Sequence, residues 1–179
     1  KACSLLMKDL WLARLSRPDI QHAVCYLATH VTKWTRNDDK RVARIAGYLL
    51  NTLDYALSGY IADPAEKLEL VLYVDANFCG DWDDTKSTSG GMLFLQGPCS
   101  SFPLLWISKR QTSTSRSTTE AEVVSLCDAI YKEGLPMLDL FELLFGRSMC
   151  LWCQEDNQAT IKVVQKGYSP KLRPVLRTH

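Results

Sequence analysis

No stretch of this 179-residue chain approaches the roughly 20 consecutive apolar residues that a membrane-spanning helix needs. The opening, KACSLLMKDLWLARL, lacks a clean apolar run ending in a small-residue cleavage site, so no secretory leader or membrane partner is expected. A disulfide framework is missing as well: the seven cysteines are odd in number and scattered from Cys3 to Cys153, which points to a reducing, intracellular setting. The one close pair, Cys150-Leu-Trp-Cys153, is followed by no second such pair, and the three histidines lie far apart. It reads as two small apolar residues in a buried strand. Disorder is excluded by 46% hydrophobic against 23% charged residues, ordinary globular proportions. Lacking an initiator Met at Lys1 and stopping at His179 in a basic stretch, the chain is expected to be a fragment of a longer reading frame.

Net charge is scarce too, at +1, but the signs are segregated. Residues 1–58 hold nine Lys/Arg against five Asp, 107–116 three bases and no acid, and 162–179 five bases and no acid. In contrast, 59–90 carries seven acids to two bases and 117–161 eight to two. Basic flanks around acidic middles suit a protein that grips phosphates at its edges and holds cations at its centre; an accidental patchwork of solvated surface gives the same pattern.

Two periods divide the text. After Arg17-Pro18-Asp19, the apolar positions Ile20, Ala23, Val24, Leu27 and Val31 follow a 3.6-residue repeat and predict one amphipathic helix. Asn37 is the expected N-cap of a second, with Asp38 and Asp39 in its first turn and Val42, Ile45, Ala46 and Leu49 as its stripe. Its other face shows Lys40, Arg41 and Arg44, a solvated face or a contact to a nucleic-acid backbone.

Near Ala62-Asp63-Pro64-Ala65 the helical period stops, which sets the expected domains at 1–62 and 63–179. Leu68 to Asp75 reads as a buried central strand, and Gly91–Leu95 and Leu104–Ser108 as two more, separated by Gly97-Pro98, in an antiparallel meander. Ser117-Thr-Thr-Glu120 is a capping-box pattern opening a helix whose apolar face runs through Val123, Leu126, Cys127 and Ile130, with Gly134 and Pro136 as interruptions before Leu138–Phe145. Cys150–Gln154 is a short fourth strand and Asn157–Gln165 a helix. The order β-β-β-α-β-α predicts an α/β fold: a mixed sheet of three antiparallel strands and a parallel fourth, entered through a crossover helix.

In that scheme Asp75 closes the first strand and Asp156 the fourth, so both emerge side by side, and the start of the crossover helix reaches them. Converging carboxylates repel and persist where cations neutralise them; oxygen ligands of this kind suit Mg²⁺ or Mn²⁺, and two such ions assist phosphodiester cleavage. The helical wheel leaves Glu120 and Glu122 both flanking the apolar face. Glu120 already has a capping task three residues after Ser117, which favours Glu122 as the ligand. The loop acids Asp81, Asp83 and Asp84 read as turn formers, and Glu155 is expected to point to the opposite face of its strand from Asp156.

Tyr73-Val-Asp-Ala76, Gly80-Asp-Trp-Asp-Asp-Thr-Lys-Ser-Thr-Ser-Gly90, Trp106-Ile-Ser-Lys-Arg-Gln111, Ser117-Thr-Thr-Glu-Ala-Glu122 and Glu155-Asp-Asn-Gln-Ala159 together resemble the RNase H region of copia-type long-terminal-repeat retrotransposons. Upstream, Leu12-Ala-Arg14, Arg17-Pro-Asp-Ile20 and the Lys40–Leu49 helix are similar to the segment that links reverse transcriptase to RNase H in those Pol polyproteins. The resemblance spans nearly the whole chain. It implies an RNase H-like fold and hydrolysis of the RNA strand of an RNA–DNA hybrid with two Mg²⁺ or Mn²⁺ ions. Asp75, Glu122 and Asp156 match the family's first three acids, as catalytic and metal-binding residues. It further implies work beside the reverse transcriptase of the same polyprotein, in a cytoplasmic virus-like particle or in the nucleus. Expected hybrid contacts are Lys86, Ser87, Lys109, Arg110, Asn157 and Gln158, with Lys171, Arg173, Arg177 and His179 of the basic tail. A fourth acid follows a His in many relatives; here the sequence stops at that His, His179. Two other readings compete. One is an inactive or domesticated module that keeps the fold, for which Ser101-Phe-Pro-Leu-Leu105 and the Gly134–Pro136 interruption are the expected kind of drift. The other is another RNase H-fold nuclease, an integrase or resolvase, against which stand the Ser-Thr-Thr-Glu-Ala-Glu signature and the missing amino-terminal His/Cys cluster.

Overall fold

The structure, a computed structural model, describes residues 2–80 and 85–167. Contacts divide the chain into two compact units, Lys1–Ser58 and Gly59–His179. The break falls slightly before Ala62/Asp63 because Tyr60 already pairs with Ser101, and the amides of Ala62 and Asp63 donate to Ser100 Oγ at 2.9 and 2.8 Å.

The first unit is helical: α1 (Ala2–Leu15), a 3₁₀ turn at Pro18–Ile20, α2 (Gln21–Ala28), a second 3₁₀ turn at Val31–Lys33, and α3 (Arg36–Leu50). Its core is Leu6, Ala13, Ile20, Val24, Leu27, Val42 and Ile45, the last five being positions the helical repeat marks as apolar. The N-cap of α3 is Thr35, not Asn37: Thr35 and Asp38 form a reciprocal capping box. Asp38 is buried and fully engaged, accepting from Thr35 N at 2.9 Å, Thr35 Oγ1 at 2.7 Å, His30 Nδ1 at 3.0 Å and Arg41 Nη1 at 2.9 Å. Those bonds, Thr35 foremost and then His30, hold its carboxyl well below the usual carboxylate range.

The second unit is the predicted α/β arrangement. Strands β1 (Glu69–Asn77), β2 (Thr88–Gly97) and β3 (Ser100–Arg110) form an antiparallel meander; α4 (Thr118–Ala129) and α5 (Leu135–Phe145) cross over to β4 (Leu151–Gln154), and α6 (Gln158–Lys166) follows. The sheet order is β3-β2-β1-β4, with β4 parallel to β1, which is the mixed sheet of an RNase H-like fold. Pro103 is tolerated because β3 is an edge strand and its register with β2 shifts near Phe94.

The core lies between one sheet face and the crossover helices: Leu70, Leu72 and Val74 of β1 and Leu93 and Leu95 of β2 pack with Leu126 and Ala129 of α4 and with Met149. Here β1 departs from a strand buried on both faces. It alternates, with Tyr73 42% exposed between buried Leu72 and Val74, as a strand covered by helices on one side must. β4 is likewise an exposed edge rather than a buried strand: Trp152 is 57% exposed and Cys150 and Cys153 are exposed thiols. Gly134 does not end the helix. A π-helical turn, Ile130–Gly134, carries α4 into α5, and Pro136 sits in the first turn of α5 where its absent N–H is harmless. A Cβ at Gly134 would lie 2.7 Å from Leu151 Cδ2 of β4, so a larger residue there must turn that leucine methyl aside. Among the described residues no helix is long and apolar enough to cross a membrane.

Candidate active site

Strand β1 delivers Asp75 on the sheet face opposite its buried leucines, exposed, two residues before the strand ends at Asn77. The side chain of Asp156 comes from the link between β4 and α6, also exposed. Because β4 runs parallel to β1 in the register Tyr73↔Gln154, both aspartates leave the same end of adjacent strands, as the topology predicts. Asn157 then caps α6, its Oδ1 accepting from the amides of Ala159 and Thr160 at 3.0 and 3.1 Å.

Glu122 approaches from α4, whose start is pinned in three ways. Ser117 Oγ accepts from Glu120 N at 3.1 Å, and Glu120 Oε2 accepts from Arg116 N at 2.6 Å, so Glu120 is occupied at the helix start. Gln111, buried just beyond β3, donates from Nε2 to Ala121 O at 2.9 Å and to Ser89 Oγ at 3.0 Å, and accepts from Ser115 Oγ at 3.1 Å. One turn after Glu122, the buried Ser125 Oγ donates to Asp75 O at 2.9 Å. The helix is thereby tied to the strand at the residue that carries the first carboxylate. Sequence reasoning singled out neither Gln111 nor Ser125 as a site residue. The signals were the Gln closing the Trp106–Gln111 motif and the i, i+3 spacing of Ser125 from Glu122, which puts the two on one helix face.

Glu122 is only 6% exposed. Burial pushes its carboxyl up to about 7, reinforced by the negative charges of Glu155, Asp75 and Asp156, while a hydrogen bond from the Ala76 backbone pulls the other way. Glu155 is raised as well, by burial first, then against a backbone hydrogen bond from Asn157 by Asp156 and Asp75. Four carboxylates therefore stand within Coulomb range of one another, one more than the sequence reading assembled. Glu155 is expected on the opposite face from Asp156; β4 ends at Gln154, and the charge of Glu155 bears on Glu122 of α4, the helix that covers one side of the sheet. They are neighbours rather than a closed cage, for among the described residues no three Asp, Glu, His or Cys side chains form a ready-made ion site. Their chemistry nevertheless suits a hard divalent cation. All donors are oxygens, and Glu122 Oε2 and Glu155 Oε2 are both buried with no hydrogen-bond partner.

The other expected contacts are divided. Register puts Arg110, through Thr88 and Asn77, on the Asp75 face of the sheet, and Lys109, through Ser89 and Ala76, on the α4 face. Lys109 and Gln158 are exposed, while Lys86, Arg110 and Asn157 are half-buried. Ser87 is fully buried and serves its own loop, accepting from Cys79 N at 3.3 Å, so it departs from the expected surface contact. Lys171, Arg173, Arg177 and His179 lie outside the described residues, as do Asp81, Asp83 and Asp84.

No family model matches the chain, and no solved structure matches it. It is 34% identical over 123 residues to the retrovirus-related Pol polyprotein from transposon RE2 of Arabidopsis thaliana, covering 69% of this chain and 8% of that protein. It is 34% identical over 110 residues to the corresponding polyprotein from transposon TNT 1-94 of Nicotiana tabacum, 62% of this chain and 8% of that one. A third relative, Secreted RxLR effector protein 161 of Plasmopara viticola, is 33% identical over 120 residues, 67% of this chain and 80% of the effector. The chain thus spans less than a tenth of the polyproteins it matches. On the strength of these matches, together with the mixed sheet, the chain belongs to the family of copia-type retrovirus-related Pol polyproteins, of which it represents a segment.

Proposed function

We propose that this segment is a ribonuclease H that hydrolyses the RNA strand of RNA–DNA hybrids during retrotransposon reverse transcription, alongside the reverse transcriptase of the same polyprotein. The observation that supports it most is the gathering of Asp75, Glu122, Glu155 and Asp156 into one mutually repelling group at the end of β1 and β4. Such a group is costly unless a cation neutralises it. The proposed cofactor is a pair of Mg²⁺ or Mn²⁺ ions held by Asp75, Glu122 and Asp156, which once bound activate water and stabilise the leaving oxygen. The chain's own residues supply the frame. Gln111 and Ser125 fix α4 against β2 and β1, so that Glu122 meets the strand-end aspartates at a set depth. Exposed Asp75 and Asp156 stand on the open side, where a phosphodiester has access. Arg110 on the Asp75 face and exposed Gln158 beside Asp156 are the proposed backbone contacts.

A second reading, a module that keeps the fold without cleavage, is favoured by one observation: a stretch 33% identical to this chain makes up 80% of Secreted RxLR effector protein 161. One assay separates the two. The full chain is incubated with a labelled RNA–DNA hybrid and Mg²⁺ or Mn²⁺, beside Asp75→Asn. Cleavage of the RNA strand that Asp75→Asn abolishes is the expected result; no cleavage, or equal cleavage by the variant, refutes the nuclease.

A further inference from the structure

Between α2 and α3 the first unit holds an open cleft of about 480 Å³, within the size range of small-molecule sites. Helix α3 turns Arg41, Arg44, Ile45 and Tyr48 into it at i, i+3, i+4 and i+7, and α2 adds Ala23, Tyr26 and Leu27. Leu27 and Ile45 are buried and make an apolar floor, while the two tyrosines offer ring surface. The ends differ in charge. Arg41 and Arg44 stand towards one end of the α3 wall. Tyr48 stands at the other, a rise of about 10 Å from Arg41, and its hydroxyl donates to Asp19 Oδ2 at 2.8 Å. Arg41 is held in place: Nη1 donates to Asp38 Oδ1 at 2.9 Å, and the guanidinium lies 5.2 Å from the centre of the Tyr26 ring. Arg44 has no such restraint, for no hydrogen bond or ion pair engages its side chain among the described residues. Lys40 is exposed on the same helix yet does not line the cleft.

Aromatic rings above an apolar floor favour a flat ring system. Guanidinium groups favour a phosphate, whose oxygens their forked donors match. A carboxylate at the far end favours an N–H donor. One class of ligand carries all three. We propose that the cleft binds a nucleoside phosphate, free or as an unpaired nucleotide of a strand. The base lies against Tyr26 and Tyr48 with its amino group towards Asp19, and the phosphate rests on Arg41 and Arg44. The lining comes from the first unit alone and includes none of the carboxylates of the candidate active site. The site therefore stands whether or not those carboxylates cleave a hybrid.

Isothermal titration of the full chain with AMP, adenosine and ribose 5-phosphate tests it, in EDTA so that no divalent cation recruits the phosphate. AMP is expected to bind, and each half of it to bind more weakly. Arg44→Gln weakens AMP binding about tenfold or more, the scale of a lost hydrogen bond to a charged group. Lys40→Gln makes the same change of charge on the same helix outside the cleft and leaves binding as it was. Ala23→Phe fills the cleft from an exposed position and abolishes binding, with circular dichroism confirming that the helices are intact. A short labelled oligoadenylate separates the two sources. Tighter binding than AMP, lost in the same variants, assigns the site to a strand; equal or weaker binding assigns it to the free nucleotide. Equal losses in Arg44→Gln and Lys40→Gln would show a general basic face and overturn the proposal. Ribose 5-phosphate binding as tightly as AMP would leave the rings without a role and overturn it too. So would the absence of binding by both AMP and the oligoadenylate. Self-association of the chain that Ala23→Phe abolishes, with AMP inert, would give the cleft to a second copy instead.

Discussion

Gln111→Ala is the change that most directly tests how the site is framed. The side chain is 5% exposed and makes three hydrogen bonds, to Ala121 O, Ser89 Oγ and Ser115 Oγ. At about 1 kcal/mol net for each, truncation removes about 3 kcal/mol. The polar groups left facing the cavity keep it from being recovered by repacking. For a unit of this size that corresponds to a fall in melting temperature of about 12 °C. Far-ultraviolet circular dichroism of the full chain reads it as an early loss of the α/β unit, and urea unfolding at constant slope separates lost stability from a changed denatured state. Gln111→Glu sharpens the test, because it retains the acceptor for Ser115 but puts an oxygen against Ala121 O and a charge in a buried position. It should be at least as damaging as alanine. A Gln111→Ala variant melting within about 2 °C of wild type would refute the view that this amide holds α4, and Glu122 with it, in place.

Acid should strike the first unit through Asp38. Its carboxyl lies below the usual range when folded, so the stability it contributes is present above the unfolded carboxylate pKa of roughly 4 and is lost as pH falls below it. The protection factors of the α3 amides, corrected for the pH dependence of intrinsic exchange, should fall below that pH in wild type and show no such step in Asp38→Asn. Arg147 ties the strand starts together, donating to Ala65 O at 2.9 Å, Ser148 O at 2.9 Å and Glu69 Oε1 at 3.2 Å, and also to Leu68 O. Arg147→Ala should cost about 2 kcal/mol in urea unfolding, and Arg147→Lys should recover little of it, since a point charge lacks the planar fork of donors. Leu93→Ala, at a fully buried position of β2, should cost roughly 3 kcal/mol by the same measurement.

The change of period after residue 62 carried most of the fold, because strands and helices impose different repeats and β-β-β-α-β-α leaves few topologies. Burial was harder to read. An apolar run such as Leu70–Val74 looks the same whether one face or both are covered, and only the helix layer on a single side makes Tyr73 an exposed residue. Composition alone likewise could not make β4 an edge: Leu-Trp-Cys is apolar text, and its exposure follows from its place beyond β1 in the sheet. The cap of α3 moved from Asn37 to Thr35 because its partner is Asp38 rather than the Glu or Gln of the usual box.

The site was legible to the extent that strand ends are. Asp75 and Asp156 could be placed together from the parallel pairing of β1 and β4, and Glu122 was separated from Glu120 by the capping box expected of Glu120 three residues after Ser117, where the structure has Glu120 accepting from Arg116 N. What alternation concealed is the setting of Glu155. A residue next to a strand-end aspartate falls on the opposite side of its strand. In this topology that side is the one α4 covers, so Glu155 bears electrostatically on Glu122, the most deeply buried acid of the group, while Asp75 stands on the open face of the sheet.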